Sequence, residues 1–264
     1  MGARLAVARR AVGSFGPTGF RACSRRRRGS PSPAAPKVKP SGASVGGAGF
    51  FDNLPRAMIY RLLDRLAERY SEKEHKLEAM RAREEYFDRA GKVFDDDAEL
   101  FEGRMASFLE WYVLERPLAG IGLTPVACAI EEGAARPGDE RRALAALSSS
   151  HHSVFQLFET SGEMLDIEDL IGGARFSVRE RRKPLGMAPG DLFEARLIWD
   201  SDTVIFGKTF LFHPPDAREV VLEWIEKAVS TNVAREEILF HLSRQHIRWH
   251  RHGHVGAAKV YRDA

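Results

Sequence analysis

The chain has 264 residues, enough for one large domain or two small ones with a buried core. Hydrophobic residues make up 44% of it and charged residues 29%, and no apolar run approaches the roughly twenty residues needed to span a bilayer. We therefore expect that the chain is not a membrane protein. The net charge of +3 conceals an asymmetry, because the first acidic residue is Asp52 and 10 of the 40 Lys and Arg precede it. From Asp52 onward, 30 basic residues face 37 acidic ones, so the remainder of the chain is acidic.

The first fifty residues form a basic leader without acidic side chains. A run of four arginines precedes Ser-Pro repeats and a glycine-rich stretch, a composition with too little apolar surface to offset the entropy of ordering. We therefore predict that residues 1–50 are disordered. Three alternatives stay open for them: an organellar transit peptide, a nucleic-acid-binding arm, or sequence upstream of the working start codon. The run consists of Arg25, Arg26, Arg27 and Arg28.

The two cysteines are too few and too far apart to form a disulfide framework. Cys23 lies in the leader and Cys128 in an apolar segment with helical character. Such sparse cysteine usage suits a reducing compartment. We expect a cytoplasmic protein, or an organellar one if the leader is a transit peptide.

Residues 51–150 have the apolar spacing of helices. The first pattern, over residues 55–90, repeats in steps of three and four and predicts a helix about 54 Å long at roughly 1.5 Å per residue. Such a helix would need a second helix of the chain, a protein partner or self-association to cover its stripe. Two shorter helices broken near Ser71 are the alternative. The stripe consists of Ile59, Leu63, Leu66, Tyr70, Leu77, Met80 and Phe87.

Three further helices are predicted before residue 150. Asp95, Asp96 and Asp97 can cap the first of them, which is strongly apolar and ends at Pro117. Thr124 and Pro125 can begin a short second helix, and a third spans about residues 138–147.

From residue 151 to 213 the pattern changes to strict alternation with turn signals about every ten residues. Phe193, Ala195, Leu197 and Trp199 are its clearest example. Five short strands of this kind predict a small curved antiparallel sheet or a five-stranded barrel. Two helices are expected over residues 214–252 and a frayed tail over residues 253–264. The fold class is therefore α+β: a helical N-terminal half packed with the small β unit, followed by two C-terminal helices.

Several short segments within residues 101–213, about two fifths of the chain, form a recognisable set: Phe108–Tyr112 with Leu118, Thr124-Pro125, Ser153–Phe155, Asp169–Gly173 and Gly190–Leu197. In these segments the chain resembles an uncharacterised bacterial protein family that has a helical N-terminal half, a small β unit and no assigned biochemical activity. The motifs are structural, so the resemblance implies a fold arrangement more than a chemistry.

Two basic clusters outside the leader are candidate nucleic-acid contacts. Arginine and lysine neutralise phosphates, and small β barrels often bind nucleic acid with such a mixture of charge and aromatic rings. The acidic balance of the chain after Asp52 argues against this interpretation. With the leader arginines, the candidates are Arg179, Arg181, Arg182 and Lys183 on the β unit and Arg244, Arg248 and Arg251 on the last helix.

His246 and His250 are one helical turn apart, a spacing that metal sites use. Ile247 stands where the glutamate of a zinc-protease motif would be, and neighbouring arginines would repel a divalent cation. We expect no cofactor, with a divalent metal as the alternative. The run Ser148–Ser153 places serines beside His151 and His152, but adjacent residues rarely face each other and no nucleophile-elbow pattern surrounds them. The carboxylates of Asp166, Glu168 and Asp169 fit a strand with one solvent-exposed face.

These observations favour a non-enzymatic interaction or regulatory protein. A nucleic-acid-binding protein using the arginine clusters is the nearest alternative. A metal-dependent hydrolase using His246 and His250 is the second alternative.

Overall fold

Eight helices and a five-stranded antiparallel sheet form the described part of the chain, which confirms the α+β expectation. The computed structural model describes residues 56–94, 98–134, 138–180, 187–200 and 203–262. All of them belong to one unit over residues 50–264. The helices are α1 (Arg56–Arg69), α2 (Lys76–Ala90), α3 (Ala98–Leu114), α4 (Pro125–Glu131), α5 (Asp139–Ser148), α6 (Arg218–Ser230), α7 (Arg235–Arg251) and α8 (Ala257–Arg262). The strands are β1 (His151–Ser161), β2 (Met164–Asp169), β3 (Arg175–Arg179), β4 (Leu192–Asp200) and β5 (Thr203–Phe212).

The sheet is open but strongly curved, as the short alternating strands predicted. Its order is β3-β2-β1-β4-β5, and the two edge strands approach each other. Irregular pairing between β1 and β2, and between β4 and β5, increases the local bend. The concave face holds an apolar cluster that includes Phe155, Phe193 and Phe206. The opposite face is covered by helices, so β4 is buried on both sides.

The predicted single helix over residues 55–90 is wrong, and the alternative of two shorter helices is confirmed. α1 ends at Arg69, and a short 3-10 turn with Lys73 at φ 49° separates it from α2. The apolar stripe therefore changes direction. Leu63 of α1 is buried in the core of its own chain, whereas Leu77 and Met80 of α2 are 68% and 52% exposed. α2 packs inward instead through small and aromatic residues such as Ala82 and Tyr86.

The frayed tail expected over residues 253–264 is wrong for its described part. Residues Ala257–Arg262 form α8, and Tyr261 is only 3% exposed. The Ala257 N–H donates to Asp216 Oδ2 at 2.8 Å, which fixes the start of this helix. Within the described ranges, no helix has both the length and the apolar character needed to cross a bilayer. The leader, Asp95–Asp97 and residues 181–183 lie outside the described residues.

Candidate functional site

Charged side chains lie on the helix-covered face of β4, where solvent does not reach them. Glu194 and Arg196 alternate with Phe193 and Ala195, which point to the concave apolar cluster. Because helices cover the other face, Glu194 is 6% exposed and Arg196 only 2%. Burial of a charge is costly unless it is paired, so each of these groups requires a partner. We call the following set the polar layer: Glu194, Arg196, Arg104, Glu110, Glu115, His152, His213, Ser243 and His246.

Arg196 is paired with two glutamates of α3. Its Nη2 donates to Glu115 Oε1, and its Nε lies 3.5 Å from Glu110 Oε2. Glu110 Oε1 also accepts the backbone N–H of Lys208 at 2.8 Å, so α3 is tied to β5 as well as to β4. Gly207 permits this approach, because a Cβ there would lie 3.2 Å from both carboxylate oxygens of Glu110.

The protonation of this pair follows from its surroundings. Burial raises the pKa of Glu115, but the Arg196 guanidinium and the His152 imidazole outweigh that effect and hold the pKa far below its usual range. Burial lowers the pKa of Arg196, while Glu115 and Glu110 raise it above its ordinary value. Glu115 and Arg196 are therefore both charged at neutral pH, and their ion pair joins the end of α3 to the sheet.

The other end of the polar layer is less completely paired. His213 Nδ1 lies 3.0 Å from the Tyr261 hydroxyl, and His213 Nε2 lies 3.4 Å from Glu194 Oε1. Neither Glu194 Oε1 nor His213 Nε2 has a hydrogen-bond partner, and His246 Nδ1 has none either. Burial, together with His213, His250 and Arg104, lowers the pKa of His246 to about 2. His246 is therefore neutral at physiological pH.

A cavity of about 30 Å³ lies beside Glu194, between the sheet and helices α2, α3 and α7. Its volume is sufficient for one or two water-sized groups, since one such group needs about 10–15 Å³. Carboxylates, hydroxyls and aromatic rings contribute most of its wall. The lining residues are Tyr86, Ser107, Trp111, Glu115, His152, Glu194, Thr209, Leu211, Glu236, Leu239, Phe240 and Ser243.

A second, open site lies on the surface between α2 and the start of α3. This groove, which we call the α2 groove, has a volume of about 490 Å³. Four large apolar side chains in and beside it, Leu77, Met80, Phe94 and Phe101, are between 38% and 68% exposed. Apolar exposure concentrated in one place with a charged rim is typical of an interaction surface. The lining residues are Met80, Arg83, Glu84, Phe87, Asp88, Lys92, Val93, Phe94 and Phe101.

A family model matches residues 54–246 and is described as a family of unknown function (DUF7986). The chain belongs to this family. The match bears out the resemblance to an uncharacterised family, and it includes the polar layer and the α2 groove but ends before α8. Searches of curated proteins and of solved structures returned no match.

The sequence-predicted arginines divide between different parts of the DUF7986 chain. Arg179 lies on edge strand β3, where its carbonyl accepts a hydrogen bond from Arg56 Nη2 at 2.9 Å. Arg244 donates twice to the carbonyl of Arg89, and Arg251 donates to the carbonyl of Lys92 at 2.6 Å. Arg248 Nη1 donates to Gln245 Oε1 at 3.0 Å.

Two of the α7 arginines therefore help to fix the end of α2, and nucleic-acid binding stays a prediction. The remaining candidates, Arg25–Arg28 and Arg181–Lys183, lie outside the described residues.

His246 and His250 do lie side by side, with ring centroids 4.8 Å apart. They differ in surroundings, because His246 is buried in the polar layer and His250 is exposed. In the described ranges, no group of three or more His, Cys, Asp or Glu is arranged to hold a metal ion. Metal binding therefore remains a prediction.

His151, Ser153 and Asp169 are brought together in an arrangement that differs from a nucleophilic triad. Ser153 Oγ donates to Asp169 Oδ1, and His151 Nε2 lies 2.9 Å from Asp169 Oδ2. The carboxylate stands between the hydroxyl and the imidazole, so the histidine is not placed to take the serine proton. Arg235 Nη1 donates to Asp169 Oδ2 at 3.2 Å, which ties α7 to the turn at Gly172. These contacts hold the turn in place.

The polar layer itself was missed by the sequence reasoning, apart from His246. One signal was present in α3, where Glu110 stands between Leu109 and Trp111 and Arg104 lies one turn before Phe108. A second was the pair Glu194 and Arg196 in the strand with the clearest apolar alternation. Charges flanked by large apolar residues in two elements indicate a buried ionic contact between them.

Proposed function

We propose that this protein is a non-enzymatic interaction protein whose α2 groove pairs with the same groove of a second copy. The exposure of Leu77 and Met80 on a well-formed helix carries the proposal. Their stripe partners in α1 are buried in the same chain, so these two side chains alone of the seven-residue stripe are strongly exposed. A two-fold dimer is the commonest way for such a surface to be covered.

The charges along α2 support a second copy as the occupant. Lys76 lies four residues before Met80 and Glu84 four residues after it, and both are exposed. If two α2 helices pair antiparallel about an axis at Met80, each Lys76 faces Glu84 of the other copy. Leu77 then faces Arg83 of the other copy, whose aliphatic stem can cover it. The exposed face of α2 is thus complementary to itself in the antiparallel direction.

The charge pairs provide the test, with the full chain examined by size-exclusion chromatography and light scattering. Lys76→Glu alone and Glu84→Lys alone should each weaken a dimer by placing like charges opposite each other. The double variant should restore it, because the charges are exchanged and remain complementary. Ile130→Glu is a matched control, since Ile130 is 45% exposed on a different helix and should leave the dimer intact. Failure of the double variant to recover association would refute the antiparallel arrangement.

We also propose that the protein is cytoplasmic and of bacterial origin. Cys128 is free and buried, as expected in a reducing compartment. An Ala-, Arg- and Gly-rich composition suits a bacterium with a GC-rich genome.

A further inference from the structure

The cavity beside Glu194 offers hydrogen-bond acceptors. Glu194 is only 6% exposed, and its Oε1 has no hydrogen-bond partner. Ser107 Oγ donates its proton to the Gly103 carbonyl at 3.0 Å, and Thr209 Oγ1 donates its proton to Glu110 Oε2 at 3.1 Å. Both hydroxyls therefore have only lone pairs left for the cavity. A ligand that donates several hydrogen bonds would satisfy all three groups.

The charges around the cavity favour a cation. Three guanidiniums lie nearby: Arg196 is paired with Glu115, Arg89 with Glu236, and Arg104 is bonded to Ser243. Five carboxylates stand against them, namely Glu110, Glu115, Glu194, Glu236 and Glu237, which is also bonded to Arg89. The carboxylates are therefore in excess. Glu110 accepts from Lys208 N–H and Thr209, whereas Glu194 Oε1 has no hydrogen-bond donor and only His213 Nε2 near it, at 3.4 Å. A buried charge of this kind needs a counter-charge, supplied either by a bound cation or by protonated His213.

The aromatic wall and the size of the cavity narrow the choice of cation. The rings of Tyr86, Trp111 and Phe240 lie within 5.8 Å of one another by their centroids and all line the cavity. Aromatic faces attract ammonium groups, and an ammonium ion is close to water in size. About 30 Å³ accommodates such a group, but not a quaternary ammonium with its four methyl groups.

We propose that this cavity binds one ammonium group, as the free ion or as the end of a small primary amine, with Glu194 as its counter-ion. Ser107 and Thr209 accept further hydrogen bonds from it, and Tyr86 and Trp111 provide its aromatic contacts. The site is independent of the α2 groove and would give the protein a small-molecule ligand in addition to its partner.

The test is thermal unfolding of the full chain at constant pH and ionic strength in four chloride salts. Ammonium and methylammonium distinguish the free ion from an amine, while potassium and tetramethylammonium are the controls for charge and size. We expect a saturable rise in Tm with one of the first two, of roughly 5–10 °C when the ligand reaches a hundred times its Kd. Equal shifts in potassium would overturn the proposal. So would the absence of a shift in all four salts, which is the expected result if protonated His213 neutralises Glu194.

A variant locates the binding. Glu194→Gln keeps the shape of the side chain and removes its charge, so affinity should fall at least about tenfold. Glu226→Gln is the control, because Glu226 is an exposed carboxylate of α6 outside the cavity wall and should leave binding unchanged. An undiminished Tm shift in Glu194→Gln would contradict the assignment. If that variant fails to fold, ¹⁵N-ammonium NMR on the unaltered protein decides: a bound, slowly exchanging signal is expected, and its absence would refute the site.

Discussion

Replacing Arg196 with methionine tests whether the polar layer holds the helices on the sheet. Methionine has a similar length and leaves little empty volume, so the main change is the loss of the guanidinium. Glu115 then loses the guanidinium that donates to it, and Glu110 loses a positive charge 3.5 Å away. The largely buried carboxylates of Glu110 and Glu115 keep their charges, with the His152 imidazole, 3.3 Å from Glu115, left beside them. Removal of one partner from a buried ion pair costs about 3–5 kcal/mol. For a domain of this size, that corresponds to a fall in Tm of roughly 6–20 °C.

Urea unfolding followed by circular dichroism measures this loss. Arg65→Met is the matched control, because Arg65 is 54% exposed and its bond to Glu140 should contribute less than about 1 kcal/mol. Adding Glu115→Gln to Arg196→Met should recover part of the stability, since it removes the uncompensated charge. A loss below about 1 kcal/mol for Arg196→Met would refute the view that this ion pair stabilises the packing of α3 on the sheet.

Two further substitutions test the titration and the packing of the same fold. His246 has a pKa of about 2 in the folded chain, well below its ordinary 6.5. Below about pH 6.5 the unfolded chain therefore binds a proton at His246 that the folded chain does not bind. The free energy of unfolding is at its full value above about pH 6.5 and falls as the pH drops below it. Relative to His246→Gln, the unaltered protein should lose up to about 1.4 kcal/mol per pH unit between about pH 6 and 4, measured by urea unfolding; parallel curves would contradict this. Gly172→Ala should cost about 1–3 kcal/mol, since its Cβ would lie 2.6 Å from Asp169 Oδ2, whereas Gly103→Ala in α3 has open space and should be neutral or stabilising.

Local periodicity predicted the elements well because burial of one face produces it. The alternation of Phe193, Ala195, Leu197 and Trp199 corresponds to the concave cluster of the curved sheet. The same alternation gives no information about what covers the other face. Whether Glu194 and Arg196 meet water or a helix depends on how α3 and α7 pack, which is a long-range property of the chain. The candidate site could therefore not be located from β4 alone.

The α1–α2 break shows a second limit of periodic patterns. Apolar steps of three and four continue through residues 70–80, although the backbone turns at Lys73. The steps remain regular because both helices are amphipathic, but the two apolar faces no longer point the same way. Only the weak helix signal at Ser71 marked the break, and the resulting exposure of Met80 could not be foreseen from spacing.

Sedimentation equilibrium of the unaltered chain and of Met80→Glu tests the central claim of self-association most directly. The unaltered protein should rise from its monomer mass of 29.5 kDa toward twice that value as its concentration increases. The change should occur between about 1 and 100 µM, where weak specific pairs dissociate. Met80→Glu should stay monomeric across the same range, because it places two like charges at the two-fold axis. A monomer mass for the unaltered protein at every concentration, or an undiminished dimer in Met80→Glu, would contradict the proposed function.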